Sequence, residues 1–427
     1  MKVAIYTLGC KVNQYETQAM ERELLRRGHE LVGFTDRADA YIVNTCTVTS
    51  VSDGKSRAML RRAKRENPGA VVAACGCYSQ LEPDTLQNMG VDLVAGSSDR
   101  MAFIDLLESA AAERKSVVSV DAALSRRSFE LLSAGGISTR TRAMLKIEDG
   151  CTNFCAYCII PYARGPVRSM PLETVRSEAV RLAAEGYREA VITGIEISSY
   201  GKDLPGTPRL IDALEAVADA AGDMRIRLGS LEPRTITEEF CERAANIKNL
   251  CPHFHLSLQS GCDETLLRMR RKYDTARYAE SVALLRKFFD LPAITTDLIT
   301  GFPGETEEEF ARTLSFIERV GFAAMHIFPY SERAGTPAAT MPQVEKCVRE
   351  ERAHRAAASA AKMHEEYLAS CVGKTYPVLF ERKKGAYFSG HAPNYMQVRA
   401  KGEGLHNTVR AVRITDSFDG VLFGELV

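Results

Sequence analysis

The stretch "EDGCTNFCAYCIIPYARG" (148–165) places Cys151, Cys155 and Cys158 in one eight-residue window. A structural zinc site takes four protein ligands and a disulfide takes two, so three crowded thiols ask for a different chemistry. A zinc knuckle completed by a distant fourth ligand is one answer. An iron–sulfur cubane is the other: it normally takes four thiolates, and with three protein ligands one iron stays open for a further ligand.

The surroundings of this loop bear on the choice. From "MLKIEDGC" onward, β-rich runs alternate with helical patterns: "EAVITGIEIS" (189–198), "RIRLGSLEP" (225–233), "FHLSLQSG" (254–261), "AITTDLITGFPG" (293–304) and "AAMHIFPYS" (323–331). With "MLKIE" these make six β/α units, short of the eight of a closed barrel, and predict a partial (β/α)6 barrel. A charged, Ala-rich run from Val344 to about Ser370 reads as one long helix.

Before the barrel, "VAIYTLG" (3–9), "YIVNT" (41–45), "AVVAA" (70–74) and "VDLVAG" (91–96) alternate with helical stretches, the pattern of a doubly wound α/β domain. Cys10, Cys46 and Cys77 each follow one of these strands, so the carboxyl edge of a parallel sheet can bring them together. Buried filler cysteines are the plain alternative. The last residues, "KTYPVLFERKKGAYFSGHAPNYMQVRAK" and "NTVRAVRITDSFDGVLFGELV", show short β runs broken by Gly, Pro and Asn, as in a small β-barrel. The organisation expected is an α/β domain over 1–113, a linker over 114–142, the partial barrel with its helix over 143–370, and a β-barrel over 371–427.

Lys plus Arg and Asp plus Glu both number 55, so nucleic-acid binding must come from a local patch. The start "MKVAIYTLGC" carries no leader pattern and no run approaches eighteen apolar residues, so a cytoplasmic chain with no membrane partner is expected. In that compartment twelve cysteines are no disulfide framework.

C-x3-C-x2-C after the first strand of an open β/α barrel resembles the radical S-adenosylmethionine enzymes. The resemblance implies a [4Fe-4S] cluster on Cys151, Cys155 and Cys158 whose open iron chelates S-adenosylmethionine, with Tyr157 packing near the adenine. It places Gly194 and Glu196 of "TGIE" at the cofactor's amino group, Ser257 or Gln259 of "LSLQSG" at its ribose, and Asp297 and Gly301 of "TDLITGFPGE" toward its methionine end. The three-part order resembles the methylthiotransferases within that superfamily, which implies a second [4Fe-4S] cluster on Cys10, Cys46 and Cys77. "ACGCYSQ" also offers Cys75, but Gly76-Cys77-Tyr78 matches the family motif. The remaining cysteines match no ligand spacing.

"LGCKVNQYET" (8–17) resembles the group acting on N6-threonylcarbamoyladenosine at position 37 of tRNA, and the C-terminal region resembles an RNA-binding TRAM domain. The implied reaction inserts a methylthio group at C2 of the adenine after a 5′-deoxyadenosyl radical abstracts its hydrogen. The implied partners are a tRNA anticodon stem-loop, a reducing electron donor and a sulfur donor, with a monomeric enzyme expected. Asn13 serves the second cluster's pocket or caps the helix that follows. Arg164 and Arg168 grip substrate phosphate or pair at the surface. Lys383 and Lys384, with Tyr387, Phe388 and Tyr395 nearby, contact RNA or form a solvated turn over a small core. Two rival functions are an aspartate-modifying methylthiotransferase acting on a ribosomal protein and a non-catalytic iron–sulfur electron carrier or RNA-binding scaffold.

Overall fold

The computed structural model describes residues 1–136 and 141–427. Its N-terminal sheet is wholly parallel and comprises β1 (Lys2–Thr7), β2 (Glu30–Val32), β3 (Ala40–Thr45), β4 (Val71–Gly76), β5 (Leu93–Ala95) and β6 (Val117–Ser119), in the order β2-β1-β3-β4-β5-β6. Every residue of β3 and β4 is buried, as central parallel strands covered on both faces require. Helices Lys11–Arg26 and Arg100–Glu113 cover one face through Met20, Leu24, Phe103 and Leu107. Helix Ser50–Glu66 covers the other through Leu60 and Ala63, its first turn capped by the Thr49 side chain. The order reverses between β1 and β3, so the carboxyl ends of β1, β3 and β4 adjoin at the switch point.

The stretch 114–142 is more than the expected linker. Val117–Ser119 closes the sheet as β6, and Leu132 and Ala134 bury against Tyr15 and Ala19. Both β2 and β6 are short edge strands with no fully buried residue, so neither shows the apolar run that makes the equally short but buried β5 legible. Residues 137–140 of that stretch lie outside the described residues.

The central unit carries β7 (Arg142–Lys146), a hairpin with legs β8 (Glu148–Asp149) and β9 (Arg168–Ser169), then β10 (Glu189–Thr193), β11 (Arg225–Leu228), β12 (Ser230–Leu231), β13 (His253–Leu256), β14 (Ala293–Thr300) and β15 (Ala324–Pro329). Parallel pairs run β7-β10-β11 and β12-β13-β14-β15, with Gly229 the one residue between β11 and β12. This is a six-position partial barrel, as expected. Helix Lys346–Cys371 follows it, with Arg352 in a buried ion pair with Glu305 (2.8 Å).

Strands β16 (Thr375–Lys384), β17 (Tyr387–His391), β18 (Gln397–Ala400), β19 (Val409–Phe418) and β20 (Val421–Leu426) close a barrel in the order β16-β17-β18-β20-β19 around Val378, Phe380, Val398, Val412 and Leu422. It docks on the central barrel through Arg225, which donates to the Pro377 carbonyl (2.8 Å), and Arg227, which donates to that of Pro393 (2.8 Å). Among the described residues no helix is long and apolar enough to cross a membrane.

Candidate active site

Cys10 follows β1 as the N-cap of helix Lys11–Arg26 and makes no capping bond, Cys46 follows β3, and Cys77 follows β4. Glycine makes these sharp exits possible. Gly9 and Gly76 hold φ of +101° and +102°, and a Cβ would fall 2.9 Å from the Cys46 Sγ at Gly9 and 2.5 Å from the Thr45 carbonyl oxygen at Gly76. The three sulfurs lie within one another's electrostatic reach: burial raises the Cys77 thiol to about 12, and Cys10 and Cys46 add to that rise. Cys75 lies apart, in the core with Ile42 and Leu93.

The second triad hangs on the β8–β9 hairpin. Cys151 donates its backbone N–H to the Gly165 carbonyl (3.0 Å), and its thiol is raised first by burial and then by Glu196, Cys158 and Cys155. Arg271 donates from Nη1 to the Cys155 Sγ (3.1 Å) and lies over the Tyr273 ring. Tyr157 meets Phe302 edge to face, and Phe302 meets Tyr330 in the same way.

A buried charge network joins the two halves. Arg164, at the end of helix Ile160–Arg164, donates from Nε to the Cys77 Sγ (3.2 Å), from Nη2 to the Asn13 Oδ1 (2.7 Å), and to the Glu16 carboxylate. Glu16 also pairs with Arg100 (2.9 Å), and Asp149 with Lys146 (3.1 Å), Arg164 (3.5 Å) and Arg168 (3.6 Å). Burial opposes the Glu16 carboxylate, but Arg100, Arg164 and Lys146 outweigh it and hold its pKa low. Four cations thus face Glu16 and Asp149, every side chain at most 5% exposed, and still outnumber the carboxylates by one when half-buried Glu130 beside Arg100 is counted, while burial pushes the carboxyl of neighbouring Glu148 away from its charged form. Such an excess fits an anionic thiolate-ligated cluster on Cys77, and metal ligation would deprotonate the buried thiols. Among the described residues no three His, Cys, Asp or Glu side chains converge tightly enough for a single metal ion. A cubane does not ask for that, because each thiolate ligates its own iron.

This network corrects the reading of Arg164 and Arg168. Both are buried, and Arg168 donates to the carbonyls of Arg164 (3.0 Å) and Pro166 (2.7 Å), so neither reaches an RNA phosphate or solvent. Asn13 does not cap its helix. Its amide ties the Leu8 (2.7 Å) and Thr45 (2.9 Å) carbonyls together, bridging the exits of β1 and β3. Sequence reasoning missed Glu16, Arg100, Lys146 and Arg271; the adjacent acids Glu148 and Asp149 just before Cys151 were the one local signal.

The other cofactor candidates lie at successive strand ends. Glu196 accepts from the Asn153 side chain (3.1 Å) inside the cysteine loop and from the Ser198 N–H (3.2 Å). Burial raises its pKa, Glu232 adds to the rise, and Arg271 opposes it. A Cβ on Gly194 would strike the Glu148 carboxylate at 2.7 Å, and Glu148, itself raised by burial, accepts from the Glu196 N–H (2.7 Å). The Ser257 carbonyl accepts from the Tyr273 hydroxyl, Gln259 holds a φ of +68° with its N–H on the Asp297 carbonyl (2.9 Å), and Asp297 pairs with His255 (3.3 Å). Gly301 has a different neighbour from the one expected: its Cβ position lies 2.2 Å from Arg349, so it is the long helix that needs the missing side chain.

Lys383 and Lys384 are exposed at the end of β16, with Lys383 Nζ 5.9 Å from the Phe388 ring centroid. Two of the rings expected to stack on bases are otherwise engaged. Phe388 is in the small barrel's core, and Tyr395 stacks on His391 at 4.9 Å beneath the Arg227 guanidinium at 4.6 Å, sealing the docking face.

Between the N-terminal sheet and β15 runs a cleft of about 980 Å³, lined by Cys10, Cys46, Val51, Lys55, Phe328 and Tyr330 among others. Tyr330 connects it to the Tyr157 side of the second triad. Arg333 pins the two walls by pairing with Asp53 (2.5 Å) and donating to Thr47, helped by Ser331 on Ser50 (3.1 Å). A larger groove, about 1140 Å³, lies by Cys251 and Tyr376 and holds neither triad.

Comparison with known proteins extends this geometry. Residues 145–317 match the radical SAM superfamily and residues 2–96 the uncharacterized protein family UPF0004. The chain is 40% identical to the threonylcarbamoyladenosine tRNA methylthiotransferase MtaB of Bacillus subtilis (strain 168), over 94% of this chain and 90% of that protein. It is 34% identical to a tRNA-2-methylthio-N(6)-dimethylallyladenosine synthase of Symbiobacterium thermophilum, over 100% of this chain and 94% of that one. In fold it resembles the radical S-adenosylmethionine methyltransferase TsrM of Kitasatospora setae, with a TM-score of 0.60 at 15% identity, over 85% of this chain and 89% of that one.

Proposed function

The chain belongs to the radical S-adenosylmethionine methylthiotransferase family, and on that premise we propose that it converts N6-threonylcarbamoyladenosine at position 37 of tRNA to the 2-methylthio derivative. The observation that carries this reading is the convergence of Cys10, Cys46 and Cys77 at three adjoining strand ends, bonded to the barrel through Arg164 and Cys77. Its support for the substrate is the "LGCKVNQYET" motif and the likeness to proteins named for that nucleoside.

When bound, one [4Fe-4S] cluster with S-adenosylmethionine supplies the electron and the radical that activates the adenine C2–H, and a second supplies the sulfur. Cys151, Cys155 and Cys158 would hold the first, and Cys10, Cys46 and Cys77 would hold the second. Glu196 would accept a hydrogen bond from the cofactor's ammonium, beside Gly194, with Tyr157 packing near the adenine, Ser257 or Gln259 serving the ribose and Asp297 lying toward the methionine end. Arg271 and Arg164 each donate to one cluster sulfur and fix the orientation of that cysteine. Asn13 keeps the exits of β1 and β3 at one spacing. Lys383 and Lys384 offer cations to RNA phosphate, and separate electron and sulfur donors serve a monomeric, cytoplasmic enzyme.

Mass spectrometry of tRNA nucleosides from a deletion strain, bare and complemented, tests this reading. The 2-methylthio form of N6-threonylcarbamoyladenosine should vanish and return. If it persists while a dimethylallyl derivative or the methylthiolation of a ribosomal aspartate is lost, the substrate is the wrong one. A chain forming no 5′-deoxyadenosine under anaerobic reduction is not an enzyme of this kind.

A further inference from the structure

Resting on the tRNA reading above, we propose that the outer face of helix Ser50–Glu66 is a track for the tRNA sugar–phosphate backbone and leads the target nucleotide into the cleft at Cys10 and Cys46. This helix carries six Lys or Arg (Lys55, Arg57, Arg61, Arg62, Lys64, Arg65) against Asp53 and Glu66, in a chain of zero net charge. Both acids are occupied, Asp53 by Arg333 (2.5 Å) and Glu66 by Arg62 (3.1 Å). Arg57 donates to the Tyr78 hydroxyl (2.7 Å), but Lys55, Arg61 and Arg65 are exposed and have no carboxylate in salt-bridge range among the described residues.

At 100° and 1.5 Å per residue, Val51, Lys55, Arg61 and Arg65 share an arc of roughly 120°, and Lys55 to Arg65 spans about 15 Å, enough for several consecutive phosphates. The track ends at the chemistry. The helix begins four residues after Cys46, and Val51 and Lys55 line the cleft that holds Cys10 and Cys46. At its lip the character changes from cationic to apolar: Val48 is 54%, Val51 63% and Phe328 46% exposed, surfaces suited to the flat face of a base. Beyond that lip the exposed face holds Ala58 between its cations, with none of the large apolar side chains that form the centre of a protein interface.

The test is a K55A/R61A/R65A variant of the full chain, with iron content and melting temperature as controls for folding. Its affinity for an unmodified tRNA transcript is measured against salt concentration. The expected result is binding weaker by about ten-fold or more, with the slope of log Kd on log salt reduced by about two to three, since each lost phosphate contact removes about 0.7–0.9. Phe328→Ala should lower affinity and leave the slope alone. A triple variant whose affinity and slope equal those of wild type overturns the track while the wild-type chain's modification of tRNA keeps the functional reading intact. Retained tRNA binding with loss of a protein partner likewise overturns it, in favour of protein docking. A wild-type chain with no salt-dependent tRNA binding overturns both.

Discussion

Arg164 Nε donates to Cys77 Sγ across 3.2 Å, joining two residues 87 positions apart that belong to different domains. The same guanidinium holds Glu16 and Asn13, so the loop of one cysteine triad is fastened to a member of the other. Arg164→Met would leave Glu16 on Arg100 and Lys146 alone and strip a charged donor from the sulfur. Breaking a buried pair in this way costs about 3–5 kcal/mol, read as a lower denaturant midpoint. A cluster on Cys77 loses both a hydrogen bond and a positive charge, so its reduction potential should fall in an EPR-monitored titration, with Arg164→Lys recovering part of the shift. An unmoved potential would show that the contact is structural only.

Glu189 sits between Arg225 (2.6 Å) and Arg227 (2.7 Å), the two arginines that also hold the C-terminal barrel. Burial pushes its carboxyl up, but Arg227 and Arg225 outweigh that and set it at about 2. A carboxylate depressed on folding stabilises the native state above its unfolded pKa, and that stability drains away as pH falls from about 4.5 toward 2. The difference is worth about 3 kcal/mol. Glu189→Gln should therefore destabilise the chain at pH 7 and flatten the loss of stability between pH 5 and 3 in denaturant melts. A variant with the wild-type acid profile would assign that loss to other groups.

What the sequence disclosed and what it concealed divide along physical lines. Buried parallel strands read as apolar runs, and three of the barrel strands, β10, β11 and β14, end where "GIE", "GSLEP" and "GFPG" break them, so the barrel and its rim of candidate residues were legible. The C-x3-C-x2-C loop is local and needed no fold. Arg164 was illegible because its partners Cys77, Glu16 and Asn13 lie 87, 148 and 151 positions away, and nothing in "PYARG" separates a buried arginine from a surface one. Tyr395 misled for a related reason: an aromatic among basic residues suits RNA, but its ring is spent on Arg227 and His391.

The two triads should load independently. Anaerobic reconstitution of the wild-type chain should yield about eight iron and eight acid-labile sulfide per chain, and about four of each after replacing Cys10, Cys46 and Cys77 together by alanine. Replacing Cys151, Cys155 and Cys158 should leave the other four. Cys75→Ala should change neither count, since its side chain lies in the core of the sheet. About four iron in the wild-type chain would remove the second cluster.

Glu196 gives a pH dependence with a definite sign. Burial raises its pKa above the ordinary carboxylate range, Glu232 raises it further, and Arg271 pulls it back. Only the ionised form makes a charge-assisted bond to the cofactor's ammonium, so S-adenosylmethionine should bind fully at alkaline pH and weaken as pH falls through the raised value, before an ordinary glutamate would protonate. Equilibrium dialysis on the reconstituted protein, run from pH 8 down to 5, reads this directly. Glu196→Gln should bind more weakly and without the pH step. Glu232→Gln removes a like charge, lowers the Glu196 pKa and should move the step to lower pH. A step that survives in Glu196→Gln would transfer the role to a different acid, with buried Glu148, on the Glu196 N–H at 2.7 Å, the first to examine.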